Sequence, residues 1–273
     1  MTAIILGMMS CDKLKEPYFT EPVVQQSDTI QLEAADTLDF DGKAVVLLED
    51  YTGVKCVMCP SGAAIAADLQ EQYGEHLVVL GVHPKGSLQD PQGEFPDFRT
   101  DDGNEWNNHF NIGTYPTGTV NRKEALGKDQ WAAAVAEVIG GDAPVRLIIK
   151  SEYDNVSREL KLSIHSKFLQ EANGNTCLTV CMMEDNIVGK QVTPSGLNNE
   201  YVHRHVFRGT ADGITWGRML DNQVETIEAG RNFITNMKFK VSEDYNADEF
   251  YIVALITDNT TKQVLMAAEK KIK

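Results

Sequence analysis

One stretch of the chain has two apolar runs on either side of a helical segment, and this pattern constrains the fold more than any other. Ala44–Leu48 (AVVLL) and Leu77–Val82 (LVVLGV) are continuous and rich in β-branched residues, which is typical of strands buried on both faces. Between them, Ser61–Tyr73 has helix-forming residues and ends before Gly74, a common helix stop. The order strand, helix, strand predicts a βαβ unit and therefore a parallel pair of strands.

The pattern changes after Gly140-Gly141-Asp142. Several later segments read as strands, and polar turns separate them without a convincing helix: Val145–Ile149, Leu160–Ile164, Cys177–Met182, Asn232–Val241 and Phe250–Ile256. This pattern of strands separated by turns predicts an antiparallel, immunoglobulin-like β-sandwich. We therefore expect an α/β domain at residues 41–141, followed by an all-β sandwich domain at residues 142–273.

The first forty residues have a different character. An apolar run, Ala3–Met9, leads to Ser10 and Cys11, and it resembles the end of a bacterial lipoprotein signal, in which the cysteine is lipidated. We expect residues 1–11 to be a signal remnant and Cys11 to carry a lipid that holds the protein at a membrane surface. The alternative is an ordinary buried N-terminal strand. Residues 12–40 are polar and acidic, and they predict a tether with one short strand near Thr29–Leu32.

Composition excludes some classes of function. The 273 residues include 40 acidic and 25 basic side chains, for a formal net charge of -15. Such a surface repels phosphates, so we expect no nucleic-acid partner. No apolar run is long enough to span a bilayer, and no motif predicts a bound cofactor.

The five cysteines are too few for a scaffold built on disulfides. Cys177 and Cys181 lie on one predicted strand, where four residues of extended chain separate their Cα atoms by roughly 13 Å. A disulfide needs less than about 7 Å. We therefore expect two buried thiols there.

Cys56 and Cys59 follow the first predicted strand, with Lys55 before them and Pro60 after them. Cys56 would lie at or just before the N-terminus of the helix, where the helix dipole and the Lys55 cation favour a thiolate. These effects could lower the Cys56 pKa from about 8.5 to between ~3.5 and ~7.5. Cys59 would be less exposed, so the pair offers one attacking and one resolving sulfur for thiol–disulfide exchange.

Residues 44–140 resemble a thioredoxin-like domain. The strand-to-helix turn holds Cys56-Val57-Met58-Cys59-Pro60, an acid (Asp50) lies six residues before the first cysteine, and Tyr115-Pro116-Thr117 matches the loop whose cis-proline faces the cysteines. The resemblance implies a Cys56–Cys59 disulfide, a buried Asp50 that assists proton transfer at Cys59, and a Pro116 that holds an extended substrate. We expect Tyr115, Lys55 and His83 to contact the substrate.

A second resemblance covers almost the whole chain. The lipoprotein-like leader, the segment EDYTGVKCVMCP, the loop YPTGTVNR and the later segment YVHRHVFRG together resemble the outer membrane protein 28 family. The resemblance implies a lipid-anchored location in the cell envelope, in the outer membrane of a Gram-negative bacterium. It also implies a thioredoxin-like domain followed by a sandwich.

Three hypotheses of function follow. The first is a thiol–disulfide oxidoreductase that acts on protein thiols or disulfides through Cys56 and Cys59. The second is a non-enzymatic adaptor, in which the sandwich binds an envelope protein or a glycan and the bulky Tyr115 crowds the cleft. The third is binding of Cu or Zn by Cys56, Cys59 and His83.

Two other segments leave alternatives open. The polar insertion at residues 84–105 is either a lid over the cysteines or a solvated loop. His203 and His205 alternate on a predicted strand, which indicates a surface patch or, alternatively, a metal chelate.

Overall fold

The computed structural model describes residues 25–28 and 40–273, and this part of the chain is rich in β-strands. The predicted lipidation site at Cys11 and the predicted strand at Thr29–Leu32 lie outside the described residues. The strands are β1 (Gln25–Asp28), β2 (Val46–Tyr51), β3 (Leu77–Val82), β4 (Thr117–Val120), β5 (Ala125–Gly127), β6 (Val145–Tyr153), β7 (Glu159–Phe168), β8 (Ala172–Asn173), β9 (Thr176–Glu184), β10 (Ile187–Thr193), β11 (Gly196–His203), β12 (Val206–Thr210), β13 (Arg218–Met219), β14 (Thr226–Ile227), β15 (Asn232–Lys240), β16 (Phe250–Asp258) and β17 (Val264–Lys271).

The α-helices of the described residues are α1 (Cys59–Tyr73), α2 (Asp101–His109) and α3 (Trp131–Val138). Helix α2 begins at Asp101 because the Thr100 hydroxyl accepts a hydrogen bond from the Gly103 amide, 2.9 Å away. A short 3₁₀ turn at Lys128–Gln130 precedes α3. No helix in this part of the chain is both long and apolar enough to cross a membrane.

The larger sheet has nine strands in the order β17-β16-β9-β12-β3-β2-β4-β5, with β13 also paired to β9. Strands β2 and β3 pair in parallel, and α1 connects them along the chain. The three elements form the predicted βαβ unit. Strand β12 pairs in parallel with β3, where Val206 lies opposite Gly81, and antiparallel with β9. The strands before and after residue 141 therefore belong to one continuous sheet.

The smaller sheet is antiparallel and has the order β1-β15-β7-β6. Its inward side chains, such as Ile164 and Met237, share a core with Val180 and Ile252 of the larger sheet. Two sheets thus pack face to face in residues 142–273, but the sequence-based expectation of a sheet confined to that segment is wrong. The reason is that β3, a buried and apolar strand, also pairs with β12, where the Gly81 amide donates a hydrogen bond to the His205 carbonyl at 2.7 Å.

Alternate side chains of β2 pack into two different hydrophobic cores. Leu48 packs with Leu69 of α1 and Trp131 of α3. Leu47, on the other face, packs with Trp106 and Phe207. Because side chains alternate along a strand, Asp50 lies on the face of Leu48, toward α1, and Glu49 lies on the opposite face.

Candidate functional site

Cys56 and Cys59 form a disulfide at the turn between β2 and α1, with their Cα atoms 5.4 Å apart. The turn is closed by hydrogen bonds from the Cys56 amide to the Gly53 carbonyl (3.0 Å) and from the Cys59 amide to the Cys56 carbonyl (3.4 Å). The cysteines are 4 % and 2 % exposed, whereas Val57 and Met58 between them are 45 % and 49 % exposed. The pair therefore presents an apolar dipeptide to solvent beside a shielded disulfide.

The loop before β4 faces this disulfide. The Tyr115–Pro116 peptide bond is cis, the isomer that the thioredoxin-like resemblance implies. The Tyr115 carbonyl oxygen lies 3.6 Å from the Cys56 Sγ. Gly62 of α1 leaves room for this approach, because a Cβ on Gly62 would lie 2.9 Å from the Pro116 Cβ.

The start of α1 also lies at the pair. The helix begins at Cys59 and has Pro60 in its first turn, which leaves Cys56 just before the N-terminal amide groups. Lys55 precedes the pair, but its Nζ lies over the Phe95 ring, 5.3 Å from the centroid. The N-terminus of the helix supplies positive potential next to Cys56, whereas the Lys55 ammonium is directed at Phe95.

Asp50 is a buried acid on β2, on the face toward α1. Burial raises its pKa to about 8. Within the described part of the chain, its Oδ1 has no hydrogen-bond partner. Asp50 therefore holds a proton at neutral pH, as expected for a carboxyl group without a cation beside it.

His83 follows β3 and is buried, and it packs against an aromatic ring. Its ring lies 5.0 Å from the Phe98 ring, and Phe98 lies 4.9 Å from the His203 ring. Burial lowers the pKa of His83 to about 3 and that of His203 to about 4, so both imidazoles are neutral. His205 is buried as well, and the interpretation of His203 and His205 as a surface patch is wrong.

The insertion at residues 84–105 is anchored beside the cysteine turn. The Leu88 carbonyl accepts a hydrogen bond from the Lys55 amide (2.8 Å), and the Gln89 side chain donates to the Thr52 carbonyl (3.0 Å). A salt bridge of 2.6 Å joins Glu94 to Lys190 of β10. These contacts anchor the insertion next to the pair, although many of its residues, such as those at 85–88 and 92–94, are exposed to solvent.

The hairpin of β10 and β11 also contacts the cysteine turn, which the sequence interpretation missed. Its Gln191 side chain donates hydrogen bonds to the Gly53 and Cys56 carbonyls. The Val192 amide donates to the Val54 carbonyl, 2.9 Å away. The turn residues Pro194-Ser195-Gly196 between two β-prone runs indicate a hairpin, but no sequence signal indicates where the hairpin docks.

The remaining cysteines do not add to the site. Cys177 and Cys181 are buried free thiols. Burial raises the Cys177 pKa to about 11 and raises the Cys181 pKa further, which keeps both thiols protonated and inert. In residues 25–28 and 40–273, no group of three or more His, Cys, Asp or Glu side chains could hold a metal ion. His83 and the cysteine pair are thus not brought together as a ligand set.

The family of the chain follows from a comparison with family models. Residues 103–273, more than half of the chain, match the model described as Outer membrane protein Omp28. The chain therefore belongs to the Omp28 family, whose name points to the outer membrane. No curated protein matches the chain significantly.

Solved structures with a similar fold are more distant in sequence. HBP35 of Porphyromonas gingivalis has a TM-score of 0.61 and 18% identity, over 84% of this chain and 76% of that chain. Protein AGR_C_4864 from Agrobacterium tumefaciens has a TM-score of 0.51 and 14% identity, over 84% of this chain and 96% of that chain. At these identities the similarity concerns the fold.

Proposed function

We propose that the protein is a lipid-anchored thiol–disulfide oxidoreductase of the outer membrane, in which residues 41–141 are thioredoxin-like and residues 142–273 contribute an immunoglobulin-like sandwich. The observation that carries the proposal is the Cys56–Cys59 disulfide at a strand-to-helix turn, facing the cis Tyr115–Pro116 bond. A static disulfide needs neither a helix N-terminus nor an opposing proline loop. An exchange centre uses both.

The reduced pair would reduce a protein disulfide in two steps. The Cys56 thiolate attacks one sulfur of the substrate disulfide, forms a mixed disulfide, and releases the other substrate sulfur as a thiolate that takes a proton from solvent. The Cys59 thiolate then attacks Cys56 Sγ, which releases the second substrate thiol and forms the Cys56–Cys59 disulfide. Two electrons pass from the pair to the substrate. With a protein dithiol as substrate, the same steps run in reverse and the Cys56–Cys59 disulfide is reduced.

Asp50 would assist proton transfer at Cys59 in the second step, accepting the thiol proton in those molecules in which its carboxyl group is ionised. Its raised pKa suits this role, because an acid with a pKa of about 8 exchanges protons with a thiol near neutral pH. Burial on the α1 side of β2 keeps the carboxyl group away from bulk solvent. The helix N-terminus would favour the Cys56 thiolate in the first step.

The substrate would lie across the exposed Val57-Met58 dipeptide. The Tyr115 carbonyl, 3.6 Å from Cys56 Sγ, can accept a hydrogen bond from an extended substrate backbone, and Pro116 would fix its direction. The apolar surface of Val57 and Met58 favours a polypeptide substrate over a small polar thiol. Cys11 would carry the lipid that keeps this activity at the membrane surface.

The experiment is a redox titration of the full chain against glutathione buffers, together with two variants. A reduction potential between about -120 and -270 mV is expected for an exchange catalyst. Cys56→Ser should abolish exchange, and Cys59→Ser should accumulate mixed disulfides with substrate proteins. A potential below about -300 mV, or exchange activity that survives Cys56→Ser, would exclude the mechanism.

A second candidate function is an adaptor that binds an envelope protein through the β10–β11 hairpin. The observation in its favour is that Val188, Leu197 and Val202 of the hairpin are exposed apolar side chains, and Val188 lies opposite Val202 in the register. Binding of an envelope protein that is lost in Val188→Asp and unchanged in Cys56→Ser would support the adaptor. Binding that requires Cys56 would instead support the oxidoreductase.

A further inference from the structure

The hairpin of β10 and β11 reaches the cysteine turn from a distant part of the chain. Gln191 is 3 % exposed, and its Nε2 donates to the Cys56 carbonyl at 3.1 Å and to the Gly53 carbonyl at 3.2 Å. The same nitrogen lies 3.0 Å from the Val192 carbonyl. The adjacent Val192 amide donates to the Val54 carbonyl at 2.9 Å. Three carbonyl groups of the turn, those of Gly53, Val54 and Cys56, therefore accept hydrogen bonds from this hairpin.

An irregularity in the hairpin aims Gln191 at the turn. The register between β10 and β11 shifts between Gly189 and Gln191, which is typical of a β-bulge. The side chain of the intervening Lys190 leaves the hairpin and binds Glu94 and the Gly93 carbonyl. A bulge often redirects a side chain next to a functional site. Here it places a buried amide against the backbone of the first cysteine.

We propose that Gln191 is a positioning residue for Cys56, which fixes the cysteine in the reduced state and favours its thiolate. This inference rests on the proposed oxidoreductase function. When the disulfide is reduced, the covalent link between Cys56 and Cys59 is lost, and the position of Cys56 depends on hydrogen bonds alone. The Cys56 amide donates to the Gly53 carbonyl, and the Cys56 carbonyl accepts from Gln191. The hairpin therefore continues to hold the backbone of Cys56 after the disulfide is reduced.

Gln191 also affects the electrostatics of the thiolate. Its N–H groups donate to the Cys56 carbonyl and contribute partial positive charge next to the backbone of Cys56. Loss of this donor should raise the Cys56 thiol pKa. A less stable thiolate makes the reduced pair less favourable, so the equilibrium with glutathione should shift toward the disulfide.

The test compares Gln191→Met with Gln89→Met in the full chain. Gln89 is a matched control, because it is also buried and its amide also donates to a backbone carbonyl, that of Thr52, which lies before the cysteine turn. For Gln191→Met we expect a higher Cys56 pKa in the pH profile of iodoacetamide alkylation. We also expect a threefold to tenfold shift in the glutathione equilibrium constant, the size of one hydrogen bond. Gln89→Met should lose stability and change both redox values less than Gln191→Met does.

Gln191→Glu is a second variant, which keeps the inference testable if Gln191→Met does not fold. It keeps the shape of the side chain, and its carboxyl group should add a second inflection to the alkylation profile as it ionises beside Cys56. Wild-type values of pKa and potential in both Gln191 variants would overturn the inference. A wild-type pair that is inert below about -300 mV would overturn the proposed function itself, which separates the two failures.

Discussion

The carboxylate of Glu49 and the guanidinium of Arg122 form a buried ion pair on the face of β2 opposite Asp50. Glu49 Oε1 lies 2.9 Å from Arg122 Nε and 2.7 Å from Nη2. The other carboxylate oxygen accepts hydrogen bonds from Thr119 and Tyr51. The guanidinium also lies over the Trp106 ring, 4.1 Å from its centroid. Every charged atom of Glu49 thus has a partner, as a buried charge requires.

Arg122→Met is expected to lower the free energy of unfolding by about 3–5 kcal/mol, because it leaves the Glu49 carboxylate buried without its cation. Urea denaturation measures the change. The control is Arg99→Met, which breaks the exposed Asp97–Arg99 pair and should cost less than about 1 kcal/mol. Similar losses in the two variants would contradict the view that the buried pair is structural.

Asp50→Asn should change how stability depends on pH. The Asp50 pKa is about 8 in the folded protein, above its ordinary value of 3.8, so between these limits the folded state binds more protons than the unfolded state. Wild-type stability should therefore fall by about 1.4 kcal/mol per pH unit from this group as the pH rises through that window. The variant lacks this loss, so its stability relative to the wild type should rise from pH 5 to pH 8. A difference that is constant over this range, measured by urea unfolding, would refute the buried acid.

His203→Phe should change the pH dependence of stability in the opposite direction, and it should do so at acid pH. Burial lowers the His203 pKa to about 4 from its ordinary value of 6.5, so the unfolded state binds more protons between these limits. The wild type should therefore lose stability as the pH falls from 6.5 toward 4, by about 1.4 kcal/mol per unit from this group. Phenylalanine keeps the ring contact with Phe98 and has no proton to bind. The two proteins should show parallel pH dependence above pH 7, and parallel dependence at pH 4.5–6.5 would disprove the assignment.

Gly62→Ala tests the contact between α1 and the cis-proline loop. Alanine normally stabilises a helix interior relative to glycine by about 0.5–1 kcal/mol. Here the new Cβ would lie 2.9 Å from the Pro116 Cβ and 3.3 Å from the Trp131 ring, so the loop must move. We expect a net loss of about 1–3 kcal/mol in unfolding free energy, together with slower exchange with glutathione.

Gly113→Ala is the control for that substitution. Gly113 lies two residues before Tyr115, and a Cβ there would meet no atom within 4 Å. Its stability should stay within about 0.5 kcal/mol of the wild type. If Gly62→Ala were as mild as this control, close packing against Pro116 would not matter for the loop.

The sequence predicted the elements next to the cysteines well, because their signals are local. The apolar run at Leu77–Val82 has the bounds of β3, and the placement of Cys59 near the start of a helix agrees with α1. These predictions rest on periodicity and on breakers such as Gly74. Asp50 was singled out by its spacing from Cys56, and it is buried in the structure.

Long-range contacts could not be predicted in the same way. Val206 and Gly81 are paired, and Gln191 lies against Cys56, although more than a hundred residues separate each pair. Hydrophobic periodicity indicates that a segment is a strand but does not indicate its neighbour in a sheet. In the same way, nothing in the sequence shows that Phe98 packs against His83.

Because β12 pairs with β3, the two halves of the chain should unfold together. If residues 142–273 were removed, β3, whose sequence LVVLGV is short, uncharged and rich in β-branched residues, would lose the strand that pairs with it at Gly81. Such an edge recruits strands from other molecules. A truncated N-terminal half should therefore aggregate when it is expressed alone, and its redox chemistry is open to study only with the second half attached.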